Sequence, residues 1–259
     1  LLVVLGPVFL VCAHMALFRV LPVPVTPLML IRWNQGHGIE QKWVNINEMS
    51  PHLPRAVIAA EDNRFCAHQG VDWSAVKTVV DEYREDGRIR GASTISMQTT
   101  KNLYLWPSRH VVRKALEAGL VHVLEWAWPK ERILEVYLNV VELGPGIYGA
   151  QAAAKHHFDR DASELNFVQS ASLAAILPNP LHRDPTRKNK AMGMRVQRIR
   201  SALDGLGPLL DCVPTDLNPT VSTEMEPVQS PPRADFDRSR RVETPEHFQT
   251  VDTKAEDQT

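Results

Sequence analysis

From Pro54 to Leu206, apolar residues recur at three- and four-residue spacing almost without a break. That spacing lays one side of an α-helix against a core. Trp73, Val76, Val80 and Tyr83 follow it behind Asp72, a residue suited to an N-cap. Ile133, Leu134, Tyr137, Leu138 and Val141 form a second stripe, and Val196, Ile199, Leu203 and Leu206 a third. No alternating run long enough for a convincing strand interrupts them. A charged connector, Glu85–Arg90, and a Gly144-Pro145-Gly146 turn separate helical stretches. The expectation is a mainly α fold, with one folded domain over residues 49–206. The chain has 259 residues, 44% of them hydrophobic, which leaves room for that domain and flanking segments.

The flanks differ in kind. Leu1 to Leu21 carries no charge before Arg19, and about 20 apolar residues suffice to cross a bilayer core. Pro22, Pro24 and Pro27 follow, rather than a small-residue cleavage site. Residues 1–21 are therefore expected to form a retained transmembrane anchor, with 22–48 as a juxtamembrane segment. In that segment Leu28-Met29-Leu30-Ile31, edged by Arg32 and Trp33, fits either a membrane interface or a first core element. From Gly205 onward there are five basic and eleven acidic residues, and seven of the 19 prolines. Residues 207–259 are expected to be a disordered acidic tail. The 204 residues before Gly205 hold 24 basic and 19 acidic groups. Such a mildly basic body with an acidic tail suits an anionic ligand or a membrane surface better than bulk nucleic-acid binding, where a strong basic stripe is expected.

Three cysteines are too few for a disulfide scaffold. A Cys66–Cys212 bridge is open in an oxidising compartment but is not the favoured reading. No cysteine has zinc-site spacing, and the ten histidines show no HExxH pattern, so no metal cage of protein ligands is expected.

Three clusters carry groups that could do chemistry. In EDNRFCAHQG, from Glu61 to Gly70, a continuing helix would place Glu61, Phe65 and His68 on one face. An acid at the end of the apolar run Ala56–Ala60 can sit in a desolvated cleft, where burial lifts its pKa toward that of a general acid or base. A solvated helix end fits the same residues. In GASTISMQTTKN, from Gly91 to Asn102, a glycine turn and Ser/Thr cap precede Thr94, Gln98 and Lys101 on one face. Such a helix start suits phosphate or sugar oxygens, though an ordinary capped surface helix also fits. In SRHVVRKALE, Arg109, Arg113 and Glu117 are spaced i, i+4, i+8, with Lys114 beside them. They could clamp a pyrophosphate or form a surface ion pair of about 0.3–0.5 kcal/mol.

Taken together, these segments resemble the glycosyltransferase family 51 peptidoglycan polymerases, above all the monofunctional members. EDNRFCAHQG matches the family's E-D-x-x-F-x-x-H-x-G, GASTISMQTTKN its G-G-S-T-I-x-Q-Q-x-x-K-N, and RKALE its R-K-x-x-E. KERILEVYLN and GIYGAQAAAKHHF match two further motifs, all in family order, and the likeness extends from the N-terminal segment to about Pro180. Ala92, Met97 and His157 depart from the usual Gly, Gln and Tyr.

The resemblance implies a lysozyme-like transglycosylase domain that polymerises lipid II onto a growing lipid-linked glycan at the periplasmic side of the inner membrane. It implies Glu61 as the base on the acceptor hydroxyl. Lys101, Arg109, Arg113 and Lys114 would stabilise the pyrophosphate leaving group. Glu117 would order these cations or help hold a divalent cation bridged by the pyrophosphate. Asp62, Phe65 and His68 would shape the first motif, while Thr94, Gln98 and Asn102 contact sugar and phosphate. Lipid II, the membrane and cell-division or cell-wall synthesis proteins are the expected partners, with no nucleic acid. A lytic muramidase acting on finished glycan and an inactive anchored adaptor are the alternatives.

Overall fold

A computed structural model of the chain describes residues 2–87, 91–108 and 110–213. Arg109, part of the Glu85–Arg90 connector and most of the expected tail (214–259) lie outside the described residues. Among the described residues ten α-helices form the body: α1 (Leu2–Phe18), α2 (Pro27–Asn34), α3 (His52–Glu61), α4 (Trp73–Asp86), α5 (Ile95–Tyr104), α6 (Val111–Ala127), α7 (Lys130–Val140), α8 (Gly149–Phe158), α9 (Phe167–Ile176) and α10 (Lys190–Asp204). A three-stranded patch joins β1 (Glu40–Gln41), parallel to β3 (Ile147–Tyr148), with β2 (Glu142–Gly144) antiparallel on the other side of β3. The mainly α architecture agrees with a lysozyme-like domain.

Residues Ser170 to Ile176 of α9 are all buried, as expected of a helix that is apolar or small all round. It packs on α3 and α10, which also touch each other, while α5 packs between α6 and α7. The α7 stripe Ile133, Leu134, Tyr137 and Leu138 is in the core, each residue at most 2% exposed. Asn139 of α7 is also fully buried. Its side chain donates to the Val44 and Glu135 carbonyls at 2.9 and 2.8 Å and accepts from the Val44 amide at 2.9 Å, so it is satisfied. Between β3 and α8 the chain turns at Gly149, whose φ is +80°. A Cβ there would lie 2.5 Å from the Asn139 carbonyl oxygen, so only glycine fits.

The expected transmembrane helix is not found. Among the described residues no helix is long and apolar enough to cross a membrane. Helix α1 has 17 residues. Its last turns are held by protein groups instead. Met15 is 2% exposed, and its carbonyl accepts from the Trp128 indole at 2.7 Å. Arg132 donates to the Phe18 and Leu21 carbonyls, and Arg19 to that of Ala127 at 2.7 Å. The single-pass inner-membrane placement therefore loses its basis. In the segment that follows, Thr26 caps α2 and Met29 is buried, whereas Leu30 and Trp33 are exposed.

Three other expectations change. Asp72 does cap α4, accepting from the Ser74 and Ala75 amides at 3.0 and 3.1 Å, but Trp73, Val80 and Tyr83 face outward. Glu61, Phe65 and His68 do not share a helix. Helix α3 stops at Glu61, Asp62 leaves helical geometry at φ −161°, and Phe65–Ala67 form a separate 3-10 turn. Finally, Cys66 and Cys212 are disulfide-bonded, with Cα atoms 5.4 Å apart across a sequence separation of 146. On a chain-entropy account a loop of that size stabilises the fold by about 5 kcal/mol. Packing continues past α10 through Leu210 and Val213, both buried.

Candidate active site

The site forms where the C-terminal end of α3 meets α5. Helix α3 buries Leu53, Ala56, Val57 and Ile58, which drives its end into the domain and leaves Glu61 half-buried at the margin. Burial pushes the Glu61 carboxyl above the ordinary carboxylate range. Asp62 adds to this, whereas the Gln98 hydrogen bond and the charges of Lys101 and Arg183 oppose it. Gln98 donates from Nε2 to Glu61 Oε2 at 2.7 Å. In turn the Tyr137 hydroxyl donates to Gln98 Oε1 at 3.1 Å. That phenol is itself fully buried, and its pKa is raised by burial and by the nearby carboxylates.

Asp62 serves the backbone. Its carboxylate meets His68 Nε2 at 2.9 Å and accepts from the Ile95 amide at 3.0 Å, at the first turn of α5. Thr94 caps the same helix, accepting from the Met97 amide at 3.1 Å and donating to the Gly70 carbonyl. Phe65 is fully buried beneath the Lys130 ammonium, 4.5 Å from the ring centroid. These contacts order the start of α5, so that Gln98 and Lys101, three residues apart, both serve the site. Asn102 is buried on the same helix.

The second acid lies on α6. Arg113 and Glu117 are 8% and 2% exposed, so this i, i+4 pair is buried, unlike a surface bridge. Arg113 bonds one Glu117 oxygen and also donates from Nε to the Ser108 carbonyl at 2.6 Å. Lys114 Nζ bonds the other Glu117 oxygen at 2.6 Å and Ser93 Oγ at 2.9 Å. Lys101 joins the two acids electrostatically. Burial lowers its pKa; Glu117 and Glu61 oppose that, while Arg113 and Lys114 reinforce it. Among the described residues the Lys101 ammonium has no ion-pair or hydrogen-bond partner. A desolvated ammonium in that condition is available to an anion.

The structure thus gathers Glu61, Asp62, Phe65, His68, Thr94, Gln98, Lys101, Asn102, Arg113, Lys114 and Glu117 around α5, while Arg109 lies outside the described residues. Two residues escaped the sequence reading. Tyr137 was visible only as part of an apolar stripe, although a buried tyrosine hydroxyl demands a partner. Arg183, half-buried after α9, acts on Glu61 through its charge and donates to the Ala175 carbonyl at 3.0 Å; no local pattern marks it. Among the described residues no group of three His, Cys, Asp or Glu side chains is placed to hold a metal. Both oxygens of Glu117 already accept from cations.

A half-buried carboxylate held by a neutral amide, with an unpaired lysine and a compensated Arg-Lys-Glu cluster acting on one another electrostatically, could move a proton beside an anionic group. Comparison with known proteins gives the family. The family model described as Transglycosylase matches residues 29–204. A biosynthetic peptidoglycan transglycosylase of Rhodospirillum centenum is 50% identical over 198 residues, covering 76% of this chain and 86% of the relative. Its namesake in Caulobacter vibrioides is 46% identical over 215 residues, covering 82% and 92%. That of Bacteroides thetaiotaomicron is 46% identical over 188 residues, covering 70% and 76%. The chain belongs to the transglycosylase family.

Proposed function

We infer that the protein is a peptidoglycan glycosyltransferase that polymerises lipid II into β-1,4-linked glycan with release of lipid pyrophosphate. Family membership supports the reaction class. The observation that carries the mechanism is the Tyr137–Gln98–Glu61 chain, which aims a carboxylate of raised pKa beside the unpaired Lys101.

In this reading Glu61 accepts the proton of the acceptor's 4-hydroxyl as that oxygen attacks the donor's anomeric carbon. The bond from that carbon to the pyrophosphate oxygen breaks with its electron pair, and the α-linked donor becomes a β-linked product. The departing pyrophosphate gains negative charge. Pre-oriented cations stabilise that charge, here Lys101, Arg113 and Lys114. Glu117 keeps Arg113 and Lys114 in place. Its pairing leaves the cluster net positive without freely moving cations. Asp62, His68 and Thr94 hold the entry to α5. The second reading, lytic cleavage, needs a raised carboxyl too but has no use for the cations.

Incubating the purified chain with lipid II and sizing the products on a gel tests the proposal. Ladders of muramidase-sensitive glycan are expected. Cleavage of preformed glycan without any polymer from lipid II would reverse it.

A further inference from the structure

We propose that the Cys66–Cys212 disulfide is a positioning element of the active site, pinning the Phe65–Ala67 turn and, through the Asp62–His68 pair, the start of α5 and the aim of Glu61. The proposal rests on the transferase reading above. The bridge touches no reacting group; it acts through its neighbours.

Cys66 sits in the middle of the single 3-10 turn between α3 and α4. Phe65 on one side is buried, and His68 lies two residues beyond on the other. Cys212 follows the Gly207–Leu210 turn, which packs on the Phe65–Ala67 turn. The Cys212 amide also donates to Cys66 Sγ at 3.3 Å. Leu210 and Val213 flank Cys212 and are both buried, so the tether is anchored on each side. Irregular segments at functional sites come from the low-stability end of a fold. A covalent tie to a packed segment opposes their opening.

From the tied turn a short path leads to the chemistry. His68 Nε2 meets Asp62 at 2.9 Å, Asp62 accepts from the Ile95 amide at 3.0 Å, and α5 then presents Gln98 to Glu61 at 2.7 Å. Slackening the turn moves every link. The charged and titratable groups facing Glu61 are Asp62 beside it, Lys101 from α5, Tyr137 from α7 and Arg183 from the loop after α9. Water entering among them weakens the burial that raises the Glu61 pKa.

The test uses the full chain, oxidised and after dithiothreitol, together with the Cys66→Ala/Cys212→Ala variant. Reduction delivers two electrons and two protons to the bridge, giving two thiols, while the reagent's dithiol becomes a cyclic disulfide. Because Cys12 is free, the count of titratable thiols should rise from one to three. At a temperature where all forms stay folded, kcat on lipid II should fall by about 10–100-fold, the scale of a displacement passed to a catalytic group. KM should change little, and the acid limb of kcat should move to lower pH. The double variant should match the reduced protein and ignore the reagent. Independently of activity, exchange of the Ile95 amide should accelerate at least about tenfold on reduction while that of Leu173 in α9 does not. Three free thiols in the untreated protein overturn the proposal. So does a reduced protein that keeps its kcat, acid limb and Ile95 protection and loses only thermal stability. If the oxidised chain makes no polymer at all, the transferase reading fails, and Ile95 exchange still decides whether the bridge holds the site.

Discussion

The two acids of the site occupy opposite electrostatic settings. Glu61 is half-buried and its hydrogen bond comes from a neutral amide; Glu117 is 2% exposed and each of its oxygens bonds a cation. Burial acts on both, but only Glu117 has the opposite charges in contact that compensate it. Desolvation without a paired cation raises affinity for a proton, as at Glu61; Glu117 instead makes two ion pairs. In the proposed mechanism the same side-chain type is thus a proton acceptor where Gln98 holds it and a counter-ion where Arg113 and Lys114 hold it.

Changing each acid to its amide breaks this contrast most directly. Glu61→Gln keeps the shape and should reduce polymerisation by about 10²–10⁴-fold, with little change in binding of a pyrophosphate-bearing donor analogue. The same variant should melt at a higher temperature near neutral pH. A carboxyl whose folded pKa is raised contributes stability below its unfolded pKa and loses that contribution as pH rises through the folded value. The neutral amide avoids the loss. Rates and melting curves on one preparation check both halves; a Glu61→Gln protein that polymerises at near the parent rate removes Glu61 from the mechanism.

Glu117→Gln should behave in the reverse sense. It strips a buried ion network of its anion, and breaking such a pair by removing one partner costs about 3–5 kcal/mol. The melting temperature should fall, and donor-analogue affinity should fall with it, because Arg113 and Lys114 lose the group that holds them. If both acids gave the same pattern of rate, affinity and stability, the contrast between them would be fictitious.

The pH profile sharpens the comparison without mutation. If Glu61 works ionised as proposed, the burial that raises its pKa should make activity disappear on acidification at a pH above the ordinary carboxylate range. Measuring kcat against pH locates that limb. A limb within the usual carboxylate range would mean that substrate binding exposes Glu61 or that another group is the base.

How much of this was legible depends on what a pattern can encode. The α7 stripe gave a helix and its buried face correctly, since one side of that helix is packed along its length. On α4 the same periodicity predicted the helix, but Trp73, Val80 and Tyr83 are exposed, because spacing fixes which residues share a side and not what covers it. The apolar run at the N-terminus was ambiguous for a related reason. Lipid and protein interior select similar residues, and only contacts across more than 100 positions, Trp128 to Met15 and Arg132 to Phe18, show that its last turns pack on protein, while Phe9, Leu10 and Leu17 are exposed. The site motifs placed Glu61, Gln98, Lys101 and Glu117 in sequence order, but the helix break at Asp62 and the bridge from Cys66 depend on contacts 33 and 146 residues away.

The smallest expected effect belongs to Tyr137→Phe, which removes one hydroxyl and keeps the ring in the core. The lost hydrogen bond is worth about 0.5–1.5 kcal/mol, which corresponds to a rate loss of about two- to tenfold if it is expressed in kcat. Its direction on the pH axis is the informative part. Tyr137 holds the amide oxygen of Gln98, and the Gln98 amide nitrogen lowers the Glu61 pKa by bonding the ionised form. A Gln98 free to rotate bonds Glu61 less of the time, so the carboxyl becomes easier to protonate and the acid limb moves to higher pH. That is opposite to the shift expected when the disulfide is opened and water enters. Opposite shifts would establish that a neutral hydrogen-bond chain and burial act on Glu61 with contrary signs. A Tyr137→Phe limb that stays in place would show that Gln98 holds its orientation without the phenol.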